Sequence, residues 1–277
     1  MPAAKKCLNY LLKRLIMNKF FLSLILLCFA SGQISTAQDS GRQETTKVAH
    51  FEKLIISPHI EATITEGDDE SVTLLSSTVS ADKIHIESKN NVLRVYLEGA
   101  KEWTKNEKNA KKNRDDDGEA PNGTNKKPLY TGTVLKIAIS YKTLQELSVR
   151  GDERLEFKSE LDQDEFTLTL YGTLQATIPG VELRKMHTTM YGTCNLVIKS
   201  GNITEQIFTT YGTSTANTLA VNNKITRSMC YGESQLKVSV SDLLKVSAFG
   251  EAQVGYKGSP VVKKGIAIGQ VKIYQIK

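Results

Sequence analysis

The sequence predicts an all-β protein that contains a β-solenoid with coils of about twenty residues. Glycine recurs at a nearly constant interval through the C-terminal half, which is typical of stacked coils. From residue 51 onward apolar and polar residues alternate with a period of two, as in half-buried strands. No segment after residue 38 has the apolar stripe of an amphipathic helix. At 277 residues the chain is long enough to bury a core of ordinary size.

The chain begins with residues 1–37, whose composition differs from that of the rest. Five basic residues precede the apolar run 20–30, and Ser35 and Ala37 follow it as the small residues of a cleavage site. The run is shorter than the roughly twenty residues that a membrane-spanning helix needs. We therefore expect a secretory signal peptide, translated from Met17 or from the first methionine. We expect no stable membrane insertion after cleavage, and a mature chain in the periplasm, at the outer membrane or outside the cell.

Cleavage of this leader nearly neutralises the chain. The whole sequence has a net charge of +6, and the leader holds five basic and no acidic residues, so residues 38–277 carry +1. A nucleic-acid partner would need a basic stripe in the mature chain, and we find none. The four histidines are scattered without the spacing of metal ligands. We therefore expect no nucleic-acid partner, no metal and no cofactor.

After a linker at residues 38–47, the first part of the domain 48–277 shows short alternating runs. They are separated by the polar segments 66–69 and 89–91, which predict turns. These runs lack the twenty-residue period, so we expect less regular strands here than in the solenoid. The alternating apolar residues are Leu54 and Ile56; Ile60, Ala62 and Ile64; Ile84 and Ile86; Leu93, Val95 and Leu97; and Leu135, Ile137 and Ile139.

Residues 101–128 interrupt the strand pattern. They carry eight basic and six acidic residues and almost no apolar side chain apart from Trp103. Such a composition cannot bury enough surface to offset the entropy of ordering. We predict a disordered charged insertion between two strands of one domain, and the near balance of the two signs argues against binding of a polyelectrolyte.

The repeat itself consists of glycines with similar neighbours. The intervals are 21, 20, 20, 20 and 18 residues, and an aromatic residue precedes five of the six glycines. A propeller blade needs about forty residues and a leucine-rich repeat needs its leucines, so a coil of two or three short strands fits best. The glycines are Gly151, Gly172, Gly192, Gly212, Gly232 and Gly250.

Stacking of the coils assigns each position to a column. We expect the apolar or small residues two positions before and after each glycine to line the interior, on the same face as the glycines. The glycines themselves would serve either as corners with positive φ or as a tight interior. The register places Cys194 and Cys230 two coils apart, about 9.6 Å, beyond the roughly 7 Å Cα separation of a disulfide. We therefore predict two free, buried thiols.

The predicted outer face carries three polar or aromatic columns. They consist of Tyr171, Tyr191, Tyr211, Tyr231 and Phe249; of Thr173, Thr193, Thr213, Glu233 and Glu251; and of Gln175, Asn195, Thr215, Gln235 and Gln253. The tyrosines either stack on one another and stabilise the coil or bind a sugar or another flat ligand, and both roles are compatible.

The order of these motifs resembles a known family. The run of glycine units ends in Phe249–Pro260, with a Tyr-x-Gly-x-Pro segment, and the opening segment 51–67 resembles the first strands of the same family. The family is that of the putative auto-transporter adhesin head domain, or head GIN domain. The resemblance covers roughly residues 48–275 and implies a right-handed parallel β-helix in an exported protein of the Bacteroidetes type, without catalytic residues. Here tyrosine precedes the glycines, which departs from the usual small residue.

Two functions follow as hypotheses. The first is a non-enzymatic, adhesin-like envelope or surface protein that binds a glycan or a protein of the envelope or host through the first two outer columns, without Phe249. The second is a carbohydrate-active β-helix enzyme that uses Glu233 and Glu251. Those two carboxylates lie on adjacent coils and hence about 5 Å apart, near the separation in a retaining glycosidase. The lack of cleft-forming insertions between coils favours the first hypothesis.

Overall fold

The computed structural model describes residues 43–100 and 129–277, so the leader and the charged insertion lie outside the described residues. Within these ranges the chain is all-β, with a three-residue 3₁₀ helix at Ala81–Lys83. The strands are β1 Glu44–Lys47, β2 Lys53–Ile56, β3 Ile60–Glu66, β4 Ser71–Ser77, β5 Ile84–Lys89, β6 Val92–Leu97, β7 Leu135–Tyr141, β8 Glu146–Gly151, β9 Arg154–Phe157, β10 Leu161–Gly172, β11 Gln175–Ile178, β12 Val181–Gly192, β13 Asn195–Ile198, β14 Gly201–Tyr211, β15 Ser214–Lys257 and β16 Val261–Gln275.

The predicted solenoid is confirmed. Two parallel ladders run side by side, one through β8, β10, β12, β14 and β15 and the other through β9, β11, β13 and β15. Residue i pairs with residue i + 20 in the central coils, as Tyr171 pairs with Tyr191 and Tyr191 with Tyr211. The period of the sequence is therefore the length of one coil.

The N-terminal part is less regular, as expected. The pairs β1–β4, β4–β7 and β5–β6 are antiparallel, whereas β2, β3, β6 and β7 also take part in parallel pairs. Asn90 and Asn91 both have positive φ between β5 and β6, which is the conformation of a tight hairpin turn. Residues 44–47, which we assigned to the linker, form the short strand β1.

The interior is lined by the columns that the register assigned to it. Leu170, Met190, Thr210, Cys230 and Ala248 are fully buried, and so, nearly, are Leu174, Cys194, Ser214, Ser234 and Ala252. Both cysteines are free and buried, as predicted. Burial raises the pKa of the Cys194 and Cys230 thiols.

The glycine column differs from the prediction in one respect. We expected the glycines on the inner face, but they are half-buried or exposed and form a corner between two strands. All six have positive φ, from +99° to +128°, which turns the chain outward and breaks the period-two alternation. The corner is also tight, because a Cβ at Gly192 would lie 2.5 Å from the carbonyl oxygen of Gly172. Both reasons considered for glycine therefore apply.

This corner also divides the predicted outer face. The tyrosine column lies at the end of β10, β12 and β14, whereas the Gln175 column lies on the strands after the corner. The threonine and glutamate column lies on the corner between them. The three columns are exposed or half-buried as predicted, but they do not form one flat face.

Part of the interior is polar, which gives a testable consequence. Asn217 pairs with Val197 of the preceding coil. The next residue, Thr218, therefore occupies the interior position that Ile198 occupies in that coil. It is 0% exposed, and its Oγ1 has no hydrogen-bond partner among residues 43–100 and 129–277. We expect Thr218→Val to raise the free energy of unfolding by about 1–2 kcal/mol, because it removes an unsatisfied buried hydroxyl and keeps the side-chain shape. Urea unfolding followed by circular dichroism measures this, and the exposed Thr193→Val is the control, for which we expect no change. A loss of stability in Thr218→Val would show that the hydroxyl is satisfied.

Candidate functional site

The tyrosine ladder is formed by Tyr171, Tyr191, Tyr211 and Tyr231. Adjacent ring centroids are 4.7, 4.7 and 4.9 Å apart, and adjacent ring planes differ by 4°, 3° and 2°. Phe249 continues the stack at 5.3 Å and 6°. Each ring takes the same rotamer as its neighbour because parallel pairing in register repeats the same backbone position in every coil. The ladder therefore spans five consecutive coils.

The first ring of the ladder is covered by a cation. Arg150 pairs with Tyr171 across β8 and β10, and its guanidinium carbon lies 4.5 Å from the centroid of the Tyr171 ring. A guanidinium over an aromatic face is attracted by the quadrupole of the ring. The face of the Tyr171 ring that has no neighbouring tyrosine is therefore also covered by protein.

Stacking determines which atoms of the ladder solvent can reach. Each internal ring has a neighbouring ring on both faces, so its edge and its hydroxyl group remain for solvent. Tyr191 and Tyr211 keep 37% and 38% of their surface exposed. The arrangement therefore offers a row of phenol groups whose ring centroids repeat every 4.7–4.9 Å. A flat ligand has no free ring face to stack on between two coils, so the ligand mode that remains is contact with ring edges and hydroxyls.

The corner column runs beside the ladder and adds hydroxyl and carboxylate groups. Thr173, Thr193 and Thr213 are exposed, and so are Glu233 and Glu251. At its start the backbone N–H of Thr173 donates to Oδ1 of Asp152 at 2.9 Å. Each ladder hydroxyl thus has a polar side chain from the same coil two residues away.

The structure brings three of the predicted site residues together in one depression. A shallow cavity of about 230 Å³ is lined by Thr213, Glu233 and Glu251 together with Thr215, Ser214, Ser234, Gln235 and Gln253. Gly250 stacks on Gly232, which places the two glutamates in one column on adjacent coils, as predicted. The depression lies on the outside of the corner rather than in a cleft.

A larger groove on another side of the coil was missed by the sequence analysis. It has a volume of about 800 Å³, and its floor contains an amide column in which Nδ2 of Asn202 donates to Glu182 at 2.7 Å and Nδ2 of Asn222 donates to Asn202 at 3.2 Å. The signal was present, because Glu182, Asn202 and Asn222 are twenty residues apart. This column lies ten residues from the nearest glycines of the repeat, outside the segments whose similarity defines the repeat.

One wall of this groove is held by an ion pair. Arg184 donates from Nε and Nη2 to the two carboxylate oxygens of Asp164 at 2.8 and 3.0 Å, and it also contacts Glu165. Hydrogen bonding to Arg184 lowers the pKa of the Asp164 carboxyl. Because Arg184 pairs with two carboxylates, these three side chains together carry a net negative charge.

Neither a metal centre nor a spanning helix is found in the described part of the chain. Among residues 43–100 and 129–277, no three His, Cys, Asp or Glu side chains come together as a metal site would require. No helix within these ranges is long and apolar enough to cross a membrane.

Comparison with known proteins gives one family and several similar folds. Residues 50–260 match the family model described as putative auto-transporter adhesin, head GIN domain. No curated protein matches the chain. Solved structures do match it, at sequence identities that show likeness of fold alone.

Three of these solved structures come from strains of Bacteroides and Parabacteroides. A putative adhesin from Bacteroides fragilis NCTC 9343 has a TM-score of 0.65 and 16% identity, over 84% of this chain and 96% of that one. A putative adhesin from Parabacteroides distasonis ATCC 8503 has a TM-score of 0.61 and 16% identity, over 84% and 96%. A putative lipid binding protein from the same strain has a TM-score of 0.57 and 15% identity, over 86% and 98%.

Proposed function

We propose that this chain, which belongs to the family of putative auto-transporter adhesins with a head GIN domain, is a non-enzymatic binding module of an exported envelope or surface protein. Its binding surface is the tyrosine ladder with the adjoining corner column. Its ligand is an extended glycan chain of the envelope or of a host surface. The observation that carries the proposal is the stack of four tyrosine rings at a nearly constant spacing, in which Tyr191 and Tyr211 keep more than a third of their surface exposed.

The chemistry of the two columns favours a glycan over an apolar ligand. Phenol and threonine hydroxyls both donate and accept hydrogen bonds, and the carboxylates of Glu233 and Glu251 accept them. The row runs along the solenoid axis, so a ligand with regularly spaced hydroxyls would meet equivalent groups in every coil. A single sugar would contact one or two coils, whereas a chain would gain from several at once, as in multivalent binding. We therefore expect affinity to increase with the length of the glycan.

The matched substitution for this surface is tyrosine to phenylalanine. Phe249 already occupies the ladder, so Tyr191→Phe with Tyr211→Phe should keep the stack and remove two hydroxyls. We expect the double variant to bind its glycan about 10-fold more weakly, at roughly 0.5–1.5 kcal/mol for each lost hydrogen bond. An immobilised glycan array identifies the ligand, and calorimetry with the purified glycan then measures the affinity.

The control for this experiment is the amide column of the groove. Asn202→Ala and Asn222→Ala remove polar groups of the same coils on a different side, and we expect them to leave glycan binding unchanged. If the two phenylalanines had no effect while the alanines abolished binding, the groove rather than the ladder would be the glycan site. If no glycan bound the native chain, the proposal of a glycan ligand would fail.

The pair Glu233 and Glu251 supports a second candidate, a retaining glycosidase. Such an enzyme needs two carboxyl groups about 5–5.5 Å apart that flank the scissile bond. Here the pair lies side by side on the outside of a corner, in a depression of about 230 Å³. A sugar chain in that position would contact both carboxylates from one side, which disfavours the attack and protonation from opposite sides that the reaction requires.

The two candidates differ in a simple assay. Incubation of the purified chain with a panel of polysaccharides should release no reducing ends above the level of a Glu233→Gln/Glu251→Gln control. Release that disappears in Glu251→Gln would overturn the non-enzymatic proposal.

A further inference from the structure

The strand β16 has one edge that pairs with no other strand of the described residues. Its other edge pairs with β15 in parallel from Val261 to Gln275. The coil geometry is complete, since Gly269 has φ +101° and its Cβ position lies 2.2 Å from the carbonyl oxygen of Gly250. β16 therefore presents the same backbone template to the next position that each earlier coil presents to its successor.

Apolar side chains are also exposed on β16, although Val271 and Ile273, the partners of the buried Ala252 and Val254, are partly buried against the core. Val262 pairs with the fully buried Leu244 but is itself 39% exposed. Ile268 continues the aromatic ladder after Phe249 and is 61% exposed, and Ile266 is 60% exposed. Natural solenoids cover such ends with a polar terminal repeat, and natural edge strands are otherwise blunted. β16 thus combines unpaired backbone with apolar side chains.

The charge of this end is uniformly positive. Residues 252–277 contain five lysines and no acidic residue. Because residues 38–277 together carry +1, the remainder of the mature chain carries −4. Lys263, Lys264 and Lys272 are exposed on β16, and no carboxylate of the described residues lies within 4.0 Å of their amines. The end of the solenoid is therefore a basic, apolar strand edge.

From these three properties we infer that β16 is a docking site for an extended acidic polypeptide segment of another protein. The segment adds as the next strand: its backbone pairs with β16, its acidic side chains lie over the three lysines, and its apolar residues cover Ile266 and Ile268. This site lies beyond residues 50–260, which match the family, and uses other side chains than the glycan surface proposed above, which it adjoins where Glu251 pairs with Gln270.

Two other occupants fit less well. A second copy that paired through its own β16 would bring three lysines against the three lysines of β16, and like charges across a strand pair are destabilising. An anionic lipid surface would attract the lysines, but it cannot satisfy the N–H and C=O groups of the edge. An added acidic strand would pair with the lysines, cover the apolar side chains and hydrogen-bond to the free backbone edge.

A charge-swap experiment tests this inference. The probe is a fluorescent peptide with the sequence of residues 261–275 in which glutamate replaces all three lysines, and the control peptide keeps the lysines. We expect the mature chain to bind the glutamate peptide at least 10-fold more tightly than the lysine peptide by fluorescence anisotropy. The chain with Lys263→Glu, Lys264→Glu and Lys272→Glu should show the reverse preference.

Further measurements separate the alternatives. The double variant Ile266→Ser/Ile268→Ser changes exposed side chains only, so its circular dichroism spectrum should be unchanged. We expect it to bind the glutamate peptide at least 5-fold more weakly than the native chain does. Absence of binding by both peptides overturns the inference. If the chain sediments with phosphatidylglycerol vesicles through its lysines and binds both peptides equally, β16 is a membrane-binding site instead. Dimerisation of the native chain in light scattering, lost in the two-serine variant, assigns it to a second copy.

Discussion

Replacement of Gly192 by alanine is expected to destabilise the solenoid by about 3–4 kcal/mol. Gly192 has φ +100°, a region that residues with a Cβ rarely adopt, and the added Cβ would lie 2.5 Å from the carbonyl oxygen of Gly172. The clash involves backbone of the preceding coil, so relief requires that two coils separate at the corner. Urea unfolding followed by circular dichroism should show a lower midpoint.

Two other glycines separate the contributions of strain and contact. Gly132 also has positive φ, +62°, but a Cβ there would meet nothing within 4 Å. We expect Gly132→Ala to cost about 1–2 kcal/mol, from the backbone conformation alone. Gly180 lacks positive φ, and its Cβ would meet the flexible side chain of Glu160, so Gly180→Ala should cost less than about 1 kcal/mol. If Gly192→Ala lowered the free energy of unfolding by no more than Gly132→Ala, the close contact between adjacent corners would make no contribution to stability.

The second large effect is expected at the centre of the tyrosine ladder. Tyr191→Ser removes a ring that stacks at 4.7 Å on both Tyr171 and Tyr211. Each aromatic pair contributes about 0.5–1.5 kcal/mol beyond the burial of its surface. We therefore expect a loss of about 2–3 kcal/mol in the free energy of unfolding, measured by urea denaturation.

Tyr191→Phe is the matched variant for stability. It keeps both stacks and removes only the hydroxyl, so its unfolding free energy should stay within about 0.5 kcal/mol of the native value. Comparison of the two variants on the glycan array then separates the roles of ring and hydroxyl. Equal stability of the serine and phenylalanine variants would mean that the stack does not hold adjacent coils together.

The regular coils were predictable because their period is a property of the sequence. An interval of twenty residues fixes which side chains share a column, and this alone placed Tyr171 below Tyr191 and separated Cys194 from Cys230. The direction of the chain at each glycine was not predictable. The sequence alone does not distinguish a glycine that is needed for a positive φ from one that is needed because a Cβ would not fit. The error that followed was to count the glycines with the interior.

Other features required contacts that no local pattern encodes. The strand β1 has the polar sequence Glu-Thr-Thr-Lys, and only antiparallel pairing with β4 makes it a strand. The seventh corner at Gly269 lies 19 residues after Gly250, but Ile268 rather than an aromatic residue precedes it. The stacking of the ladder rings, by contrast, is one of the two roles that the twenty-residue period predicts for the tyrosines.

The constant pairing of residue i with residue i + 20 means that the central coils are interchangeable units. Deletion of residues 193–212 would remove one whole coil, and each residue after the deletion would then pair with the residue at the equivalent position of the preceding coil. Duplication of the same segment would add one coil and keep the same register. The number of coils can thus change by whole units during evolution while every column stays in register. The length of the glycan that the proposed ladder measures would change with it, by one hydroxyl for each coil gained or lost.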